Sequence, residues 1–161
     1  MPQEQALPGM RRFYRRIGYD QWQDKAQRTI IGRVFEIKVG ESGLSVFDAD
    51  KARPRVVLED LLNQWREVAE DASLPLDKQK WARRKLEQSS HSVEGLLTIG
   101  WGVAEVTEAL FRRCGFEPSA KIDPNGHLEI LGTKEAFEEQ SLEIIDNEAE
   151  CRVLSDEECC A

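Results

Sequence analysis

Apolar residues at helical spacing between residues 54 and 72 constrain the fold of this chain more than any other feature. They are Leu58, Leu61, Leu62, Trp65, Val68, Ala69 and Ala72. This spacing places them on one face of a helix of about five turns, and such a face needs a partner layer to bury it. Pro54 indicates the start, because a proline in the first helical turn has no N–H bond to lose. The pattern predicts a long helix from Pro54 with a hydrophobic core against it.

Two more helices are predicted after this one. Residues 77–88 favour a helix whose apolar stripe is thin, which is typical of a surface position. In residues 92–114 an apolar face continues through three glycines, which predicts one long helix bent near Gly100. Gly115 follows two arginines and is expected to end that helix in the left-handed conformation. Together the three segments predict a central three-helix layer.

Short antiparallel hairpins are predicted on both sides of this layer. Residues 29–39 are rich in β-branched side chains and alternate in polarity, and residues 44–48 follow a Gly-containing turn, so the two runs predict a hairpin. Near the C-terminus, residues 133–140 favour a short helix, and residues 141–146 and 150–154 favour two short strands.

The stretch KIDPNGHLEI, residues 121–130, predicts a second hairpin. Asp123 to Gly126 match a type I turn closed by a left-handed glycine. The resulting register pairs Ile122 with Leu128 and Ala120 with Ile130 on an apolar face. On the other face it pairs Asp123 with His127, so we expect His127 to be a solvent-facing partner of Asp123 and not a catalytic base.

The length and the composition of the chain fit one α+β domain. A chain of 161 residues with 40% hydrophobic and 32% charged residues is long enough for one core and too apolar to be disordered throughout. We expect a flexible leader at residues 1–9, a single α+β domain at 10–154 and a loose, acidic, Cys-containing tail at 155–161. The fold class is therefore α+β, with the three-helix layer packed with short antiparallel β-hairpins.

Charge is distributed unevenly along the chain. Residues 1–57 carry 11 Lys and Arg against 7 Asp and Glu, whereas residues 115–161 carry 3 against 13. The basic start and the acidic end either attract each other within the fold or face partners of opposite sign.

The basic charge is concentrated in RRFYRR. On a helix, Arg11, Arg12, Arg15 and Arg16 would lie on one side, where they could bind phosphates while Phe13 or Tyr14 stacks on a base. Three helices followed by a hairpin is also the element order of a winged helix. A winged-helix-like nucleic-acid-binding protein that uses the N-terminal basic segment is therefore the alternative function.

The acidic charge supports the leading hypothesis. Residues Glu135, Glu138, Glu139 and Glu143 form a dense negative surface that would suit a basic patch on another protein. We expect a small non-enzymatic adaptor or regulatory domain that acts in a larger assembly through its charged surfaces. A protein partner is expected, and nucleic acid remains open through the four arginines.

The sequence lacks the motifs of several other functional classes. The chain has no GxGxxG, GxxxxGK[ST], HExxH or GxSxG motif, so we expect no catalytic site and no cofactor. An enzyme stays the third hypothesis, which would need His91 or His127 in a cleft beside a thiol or carboxylate. The four cysteines form no CxxC pair, so neither a metal site nor a disulfide framework is expected. No apolar run reaches the roughly 20 residues of a membrane span, and we expect a cytoplasmic protein without a membrane partner.

Overall fold

The computed structural model describes residues 11–161, which form an antiparallel sheet with helices on both faces. The strands are β1 (Arg12–Ile17), β2 (Trp22–Asp24), β3 (Thr29–Ile30), β4 (Gly43–Asp48), β5 (Gly102–Thr107), β6 (Glu117–Pro118), β7 (His127–Leu131) and β8 (Cys151–Val153). The helices are α1 (Pro54–Glu70), α2 (Leu76–Gln88), α3 (Val93–Thr98), α4 (Glu108–Arg113), α5 (Lys134–Ile145) and α6 (Asp156–Cys160), with a 3₁₀ helix at Gly32–Phe35. The main sheet of this part of the chain has the order β6-β7-β4-β1-β5-β8.

The sheet separates two hydrophobic cores. One core contains Phe13, Phe35 and Phe111 and is covered by the 3₁₀ helix, α4 and α5. The other contains Tyr14 and Leu58 and is covered by α1, α2, α3 and α6. Neighbouring residues of β1 enter different cores because successive strand side chains point to opposite faces. The predicted α+β class is confirmed, with a single sheet as its centre.

Helix α1 begins at Pro54, as the sequence predicted. Its predicted apolar face is buried through Leu58, Leu61, Leu62, Trp65 and Ala69. The Trp65 ring meets the rings of Trp81 and Trp101 edge-on, at centroid distances of 6.4 and 5.7 Å. Such aromatic pairs contribute about 0.5–1.5 kcal/mol each beyond the burial itself. Helix α2 also forms where it was predicted.

The predicted long helix at residues 92–114 is wrong. The chain forms α3, leaves the helix at Gly100 (φ +114°), enters the sheet as β5 between β1 and β8, and then forms α4. Both faces of β5 are buried, so its apolar residues form a nearly continuous run that also fits the spacing of a helix. Gly115 does end α4 in the left-handed conformation, with φ +93°. The three-helix layer is therefore replaced by one sheet with helices on both sides. Between residues 54 and 132, β5 and α4 separate the first three helices from the β6–β7 pair, so this segment does not have the winged-helix element order.

The predicted basic helix at the start is strand β1, which lies between β4 and β5. The predicted hairpin of residues 29–39 and 44–48 is also wrong. Within the first run Thr29–Ile30 forms β3, which pairs with β2, and Gly32–Phe35 forms the 3₁₀ helix. The second run does form a strand, β4, but its partners are β1 and β7. The places of these strands in the sheet depend on pairing between distant segments of the chain. The alternation of polar and apolar residues within one segment does not indicate that pairing.

The predicted turn before β7 is present, with Gly126 at φ +91° and its N–H donating to the Asp123 carbonyl at 2.9 Å. The Asp123 N–H donates to the His127 carbonyl at 2.8 Å, which confirms that pair. Further from the turn, Ile130 pairs with Pro118 instead of Ala120, so the predicted register is off by two residues there. The segment between the turn and β6 does not continue the regular ladder.

The C-terminal third is more helical than predicted. Helix α5 follows the Thr133 N-cap and continues to Ile145, across most of the strand predicted at residues 141–146, because Phe137, Ser141 and Ile144 lie buried on one helical face. The predicted strand near residue 151 is confirmed as β8. Residues 155–161 were expected to be loose, but most of them form α6, which has a capping box between Ser155 and Glu158.

The flexible leader predicted at residues 1–9 lies outside the described residues. Within residues 11–161, no helix combines the length and the apolar character that crossing a membrane requires.

Candidate functional site

The four N-terminal arginines do not form the predicted cluster on one side of a helix. Because side chains alternate along β1, Arg12 and Arg16 face one side of the sheet and Arg15 faces the other. Arg11, just before the strand, donates from Nε to Asp48 Oδ2 at 3.0 Å. Arg12 Nη1 lies 3.7 Å from Glu105 Oε2. The first two arginines are thus engaged inside the fold.

Arg15 fills a gap in the sheet. β1 pairs with β5 along its whole length but meets β4 only at Phe13 and Tyr14, so the two strands separate beyond Tyr14. The Arg15 side chain spans the opening, donating from Nε to the Val34 carbonyl at 2.8 Å and from Nη1 to the Ser45 carbonyl at 2.9 Å. These bonds fix the guanidinium and replace strand pairing that the divergence removes.

A cleft lies at this opening. A cavity of about 190 Å³ is lined by Arg15, Arg16, Ser45, Asp60 and His127, among others. A larger cavity of about 990 Å³ shares Arg15, Arg16, Ser45 and Gln64 with it and extends towards Glu41. The two cavities share these lining residues, and we call the pair the β1–β4 cleft.

A hydrogen-bonded chain of three side chains forms one wall of the cleft. Ser45 Oγ lies 2.5 Å from His127 Nε2, and His127 Nδ1 lies 3.0 Å from Asp123 Oδ2. Ser45 on β4 pairs with Glu129, two residues along β7 from His127, so Ser45 and His127 are diagonal neighbours on the same sheet face. The Phe47 ring stands edge-on against the imidazole at a centroid distance of 5.5 Å.

The three side chains have the order hydroxyl, imidazole, carboxylate that activates a serine in hydrolases. With Asp123 accepting from Nδ1–H, Nε2 is left to accept the Ser45 proton. The sequence predicted the pairing of His127 with Asp123 but placed no third group beside them. His127 thus lies in a cleft beside a carboxylate, which is the arrangement that the enzyme hypothesis requires.

The four predicted acidic residues all lie on α5 and are exposed. Glu138 is paired with Lys134, one helical turn earlier. Glu135, Glu139 and Glu143 have no ion pair or hydrogen bond to another side chain within residues 11–161. Leu142, which is 61% exposed, projects between them on the same side of the helix. We call this set of Glu135, Glu139, Leu142 and Glu143 the α5 face.

The cysteines and the second histidine do not line the β1–β4 cleft. Burial raises the pKa of Cys151 to about 12, and it does the same for Cys159, so both thiols stay protonated and unreactive near neutral pH. Burial also raises the pKa of Cys114. His91 is an exposed residue in the turn after α2, with φ +55°, and does not line the cleft.

Sequence reasoning missed Ser45, Asp60 and Gln64. Ser45 and His127 are 82 residues apart, and their contact depends on the pairing of β4 with β7. Asp60 and Gln64 are one turn apart on α1, and Gln64 Nε2 donates to Asp60 Oδ2 at 2.7 Å. The one signal in the sequence for these two residues was that both are polar and lie beside the apolar face of α1.

Within the described part of the chain, no group of three or more His, Cys, Asp or Glu residues is arranged to hold a metal ion. Comparison with protein-family models, with curated proteins and with solved structures finds no match to this chain.

Proposed function

We propose that this chain is a small cytoplasmic protein-binding domain that acts as an adaptor or regulator in a larger assembly, and that the α5 face is its docking surface. One observation carries the proposal: an exposed leucine stands among three carboxylates that have no ionic partner elsewhere in residues 11–161. A basic segment of a partner protein with one apolar side chain matches this surface in charge and in shape.

Several carboxylates elsewhere in the fold have ion-pair partners, unlike those of the α5 face. Arg55 binds both Glu59 and Glu94 at 3.0 Å, and Arg152 binds Glu105 and Glu158. These carboxylates are neutralised within the fold, whereas those of the α5 face are left to solvent. The free cysteines of the structure are consistent with the reducing environment of the cytoplasm.

The test is affinity capture from the native lysate with nuclease present. The tagged full chain is compared with a triple variant, Glu135→Gln, Glu139→Gln and Glu143→Gln, and with a Leu142→Lys variant. A triple variant of other exposed glutamates, Glu67→Gln, Glu70→Gln and Glu87→Gln, removes the same charge elsewhere.

We expect a stoichiometric protein partner on the parent and on the control variant, with binding weakened about tenfold in the α5 variants, since each exposed charge pair contributes about 0.2–1 kcal/mol. Higher salt should weaken capture of the partner. Equal capture by the α5 variants and the control would refute the docking surface, and co-purifying nucleic acid that nuclease removes would favour the nucleic-acid alternative.

The Ser45–His127–Asp123 chain favours a second candidate function, ester hydrolysis. In this reaction Ser45 Oγ forms a bond to the ester carbonyl carbon and its proton passes to His127 Nε2. The bond to the leaving alcohol then breaks, and the alcohol takes that proton. Water repeats both steps, which releases the acid and restores the serine.

A fluorophosphonate probe tests this candidate, because it reacts with an activated serine and its adduct is visible by intact mass. We expect one adduct on the parent and none on Ser45→Ala or His127→Gln. Absence of any adduct on the folded parent would eliminate the hydrolase candidate without affecting the α5 proposal.

A further inference from the structure

Four aromatic rings form a connected row that reaches the surface at both ends. The Tyr19 and Trp101 ring centroids lie 5.9 Å apart, and Trp101 is followed by Trp65 at 5.7 Å. Trp81 continues the row at 6.4 Å from Trp65. Trp65 is only 4% exposed, whereas Trp81 is 43% and Tyr19 is 54% exposed. The core uses the middle of the row and leaves the two end rings partly in contact with water.

Positive side chains flank Trp81 on α2. Its neighbours on the helix surface, three or four positions away in sequence, are Asp77, Lys78, Arg84 and Lys85. The Lys85 ammonium lies 4.9 Å from the centroid of the Tyr19 ring, so it joins the two ends of the aromatic row. Within residues 11–161, the three cations make no ion pair. The set that we call the α2 surface is Tyr19, Lys78, Trp81, Arg84, Lys85 and Trp101.

The carboxylates beside these rings do not cancel the positive charge. Asp77 lies in the first turn of α2, where its charge is favourable at the positive end of the helix dipole. Asp20, next to Tyr19, lies 3.5 Å from Arg33 Nη2. The residues of α1 one turn from Trp65 are all apolar, namely Leu61, Leu62, Val68 and Ala69. Three cations without an ion pair in residues 11–161 therefore stand against one such carboxylate.

We propose that the α2 surface binds single-stranded nucleic acid. Exposed aromatic rings stack on unpaired bases with little regard to sequence, and cations around them bind the backbone phosphates. The N-terminal segment is less suited to this role than the sequence suggests, because Arg11 and Arg12 lie beside Asp48 and Glu105.

The α2 surface is separate from the α5 face. Helix α5 covers the core on one face of the sheet and α2 covers the core on the other. A nucleic acid on α2 would therefore not compete with a protein on α5. The inference depends neither on the α5 face nor on the reactivity of Ser45.

Fluorescence anisotropy on the full chain tests the site, with a fluorescein-labelled oligodeoxythymidylate of about 12 nucleotides as the probe. A duplex of the same length and poly-L-glutamate of matched charge are the comparison probes. Trp81→Leu removes the exposed ring but keeps an apolar side chain against Trp65. Arg84→Gln removes one exposed cation of the surface, and Lys51→Gln, in the exposed turn before α1, removes one elsewhere. Circular dichroism checks that each variant is folded.

We expect saturable binding of the single strand to the parent. The logarithm of the binding constant should fall with the logarithm of the salt concentration at a slope of about −2, since three phosphate contacts contribute about −0.7 each. Trp81→Leu should bind about tenfold more weakly with the slope unchanged, because it loses stacking and no charge. Arg84→Gln should reduce the slope to about −1.4, and Lys51→Gln should leave both quantities unchanged.

The comparison probes decide between the partners. Equal affinity for the duplex would overturn the proposal, because it would show that the exposed rings do not contribute. Equal affinity for poly-L-glutamate would also overturn it, in favour of an acidic protein segment. Unchanged affinity of a folded Trp81→Leu variant, or the same salt slope for Arg84→Gln and Lys51→Gln, would refute the assigned residues. None of these results changes the expected capture through the α5 face.

Discussion

Replacing Glu158 by glutamine should destabilise the protein at neutral pH and have little effect in acid. Glu158 Oε1 accepts the Ser155 N–H at 2.8 Å as part of the capping box of α6, and Oε2 lies 2.8 Å from Arg152 Nη2. These contacts, Arg152 first, lower the pKa of Glu158 from 4.5 to about 2. The carboxylate thereby links β8 to α6.

The pKa difference sets an upper limit on the effect. The difference between the ordinary pKa of 4.5 and the folded-state pKa of about 2 corresponds to about 3.4 kcal/mol. The Glu158 side chain is 41% exposed, so solvent screening reduces the expected contribution to about 1 kcal/mol. Because the folded-state pKa lies below the unfolded value, this stability is fully present above about pH 4.5 and is lost as the pH falls towards 2.

Urea denaturation of the parent and Glu158→Gln at pH 7 and at pH 2.5 measures the difference. The matched control is Glu157→Gln, since Glu157 is exposed on the same helical turn and makes no side-chain bond within residues 11–161. We expect a loss of about 1 kcal/mol for Glu158→Gln at pH 7 and most of that difference to vanish at pH 2.5. Equal stability of the two variants at pH 7, or a difference independent of pH, would refute the role given to the carboxylate.

Three further predictions concern the core. Gly95→Ala should destabilise by at least 1–3 kcal/mol in thermal unfolding, because the added Cβ would stand 1.7 Å from the Ser89 carbonyl oxygen. Asp48→Ala should cost about 2 kcal/mol in denaturant unfolding, since this carboxylate is 3% exposed and its loss leaves Arg11 with Glu108, 4.0 Å away, as its remaining ion-pair partner within residues 11–161. In Ellman titration of the native protein at pH 8, Cys151 and Cys159 should react only after unfolding, because burial raises their pKa values to about 12; rapid reaction of all the thiols would contradict this.

The elements that the sequence predicts well are those with a local cause. Pro54 and an unbroken apolar face determine where α1 starts, and a left-handed Gly126 determines the turn before β7. Strands β1 and β5 lack such a cause. Their residues enter both cores, so apolar and charged side chains occur without the simple alternation of a half-buried strand, and the spacing also fits a helix.

The cleft could be predicted only in part for the same reason. Asp123 and His127 belong to one turn, so their contact follows from local sequence. Ser45 joins them through the pairing of β4 with β7, and Arg15 acquires its carbonyl partners because β1 and β4 diverge. Neither the pairing of β4 with β7 nor the divergence of β1 from β4 is indicated by the neighbouring residues in sequence. Both can be predicted only when the strand order is known.

The structure also decides how the basic and acidic parts of the chain are related. The sequence left open whether they attract each other within the fold or face separate partners. At the start of α6 they meet internally, where Arg28 donates to the Leu154 carbonyl at 2.5 Å and lies 3.6 Å from Asp156. Within residues 11–161 no arginine pairs with a carboxylate of α5, and the negative charge of this helix stays at the surface. Internal pairing thus neutralises part of the acidity near the C-terminus, and the α5 face is the acidic surface for which we propose a partner.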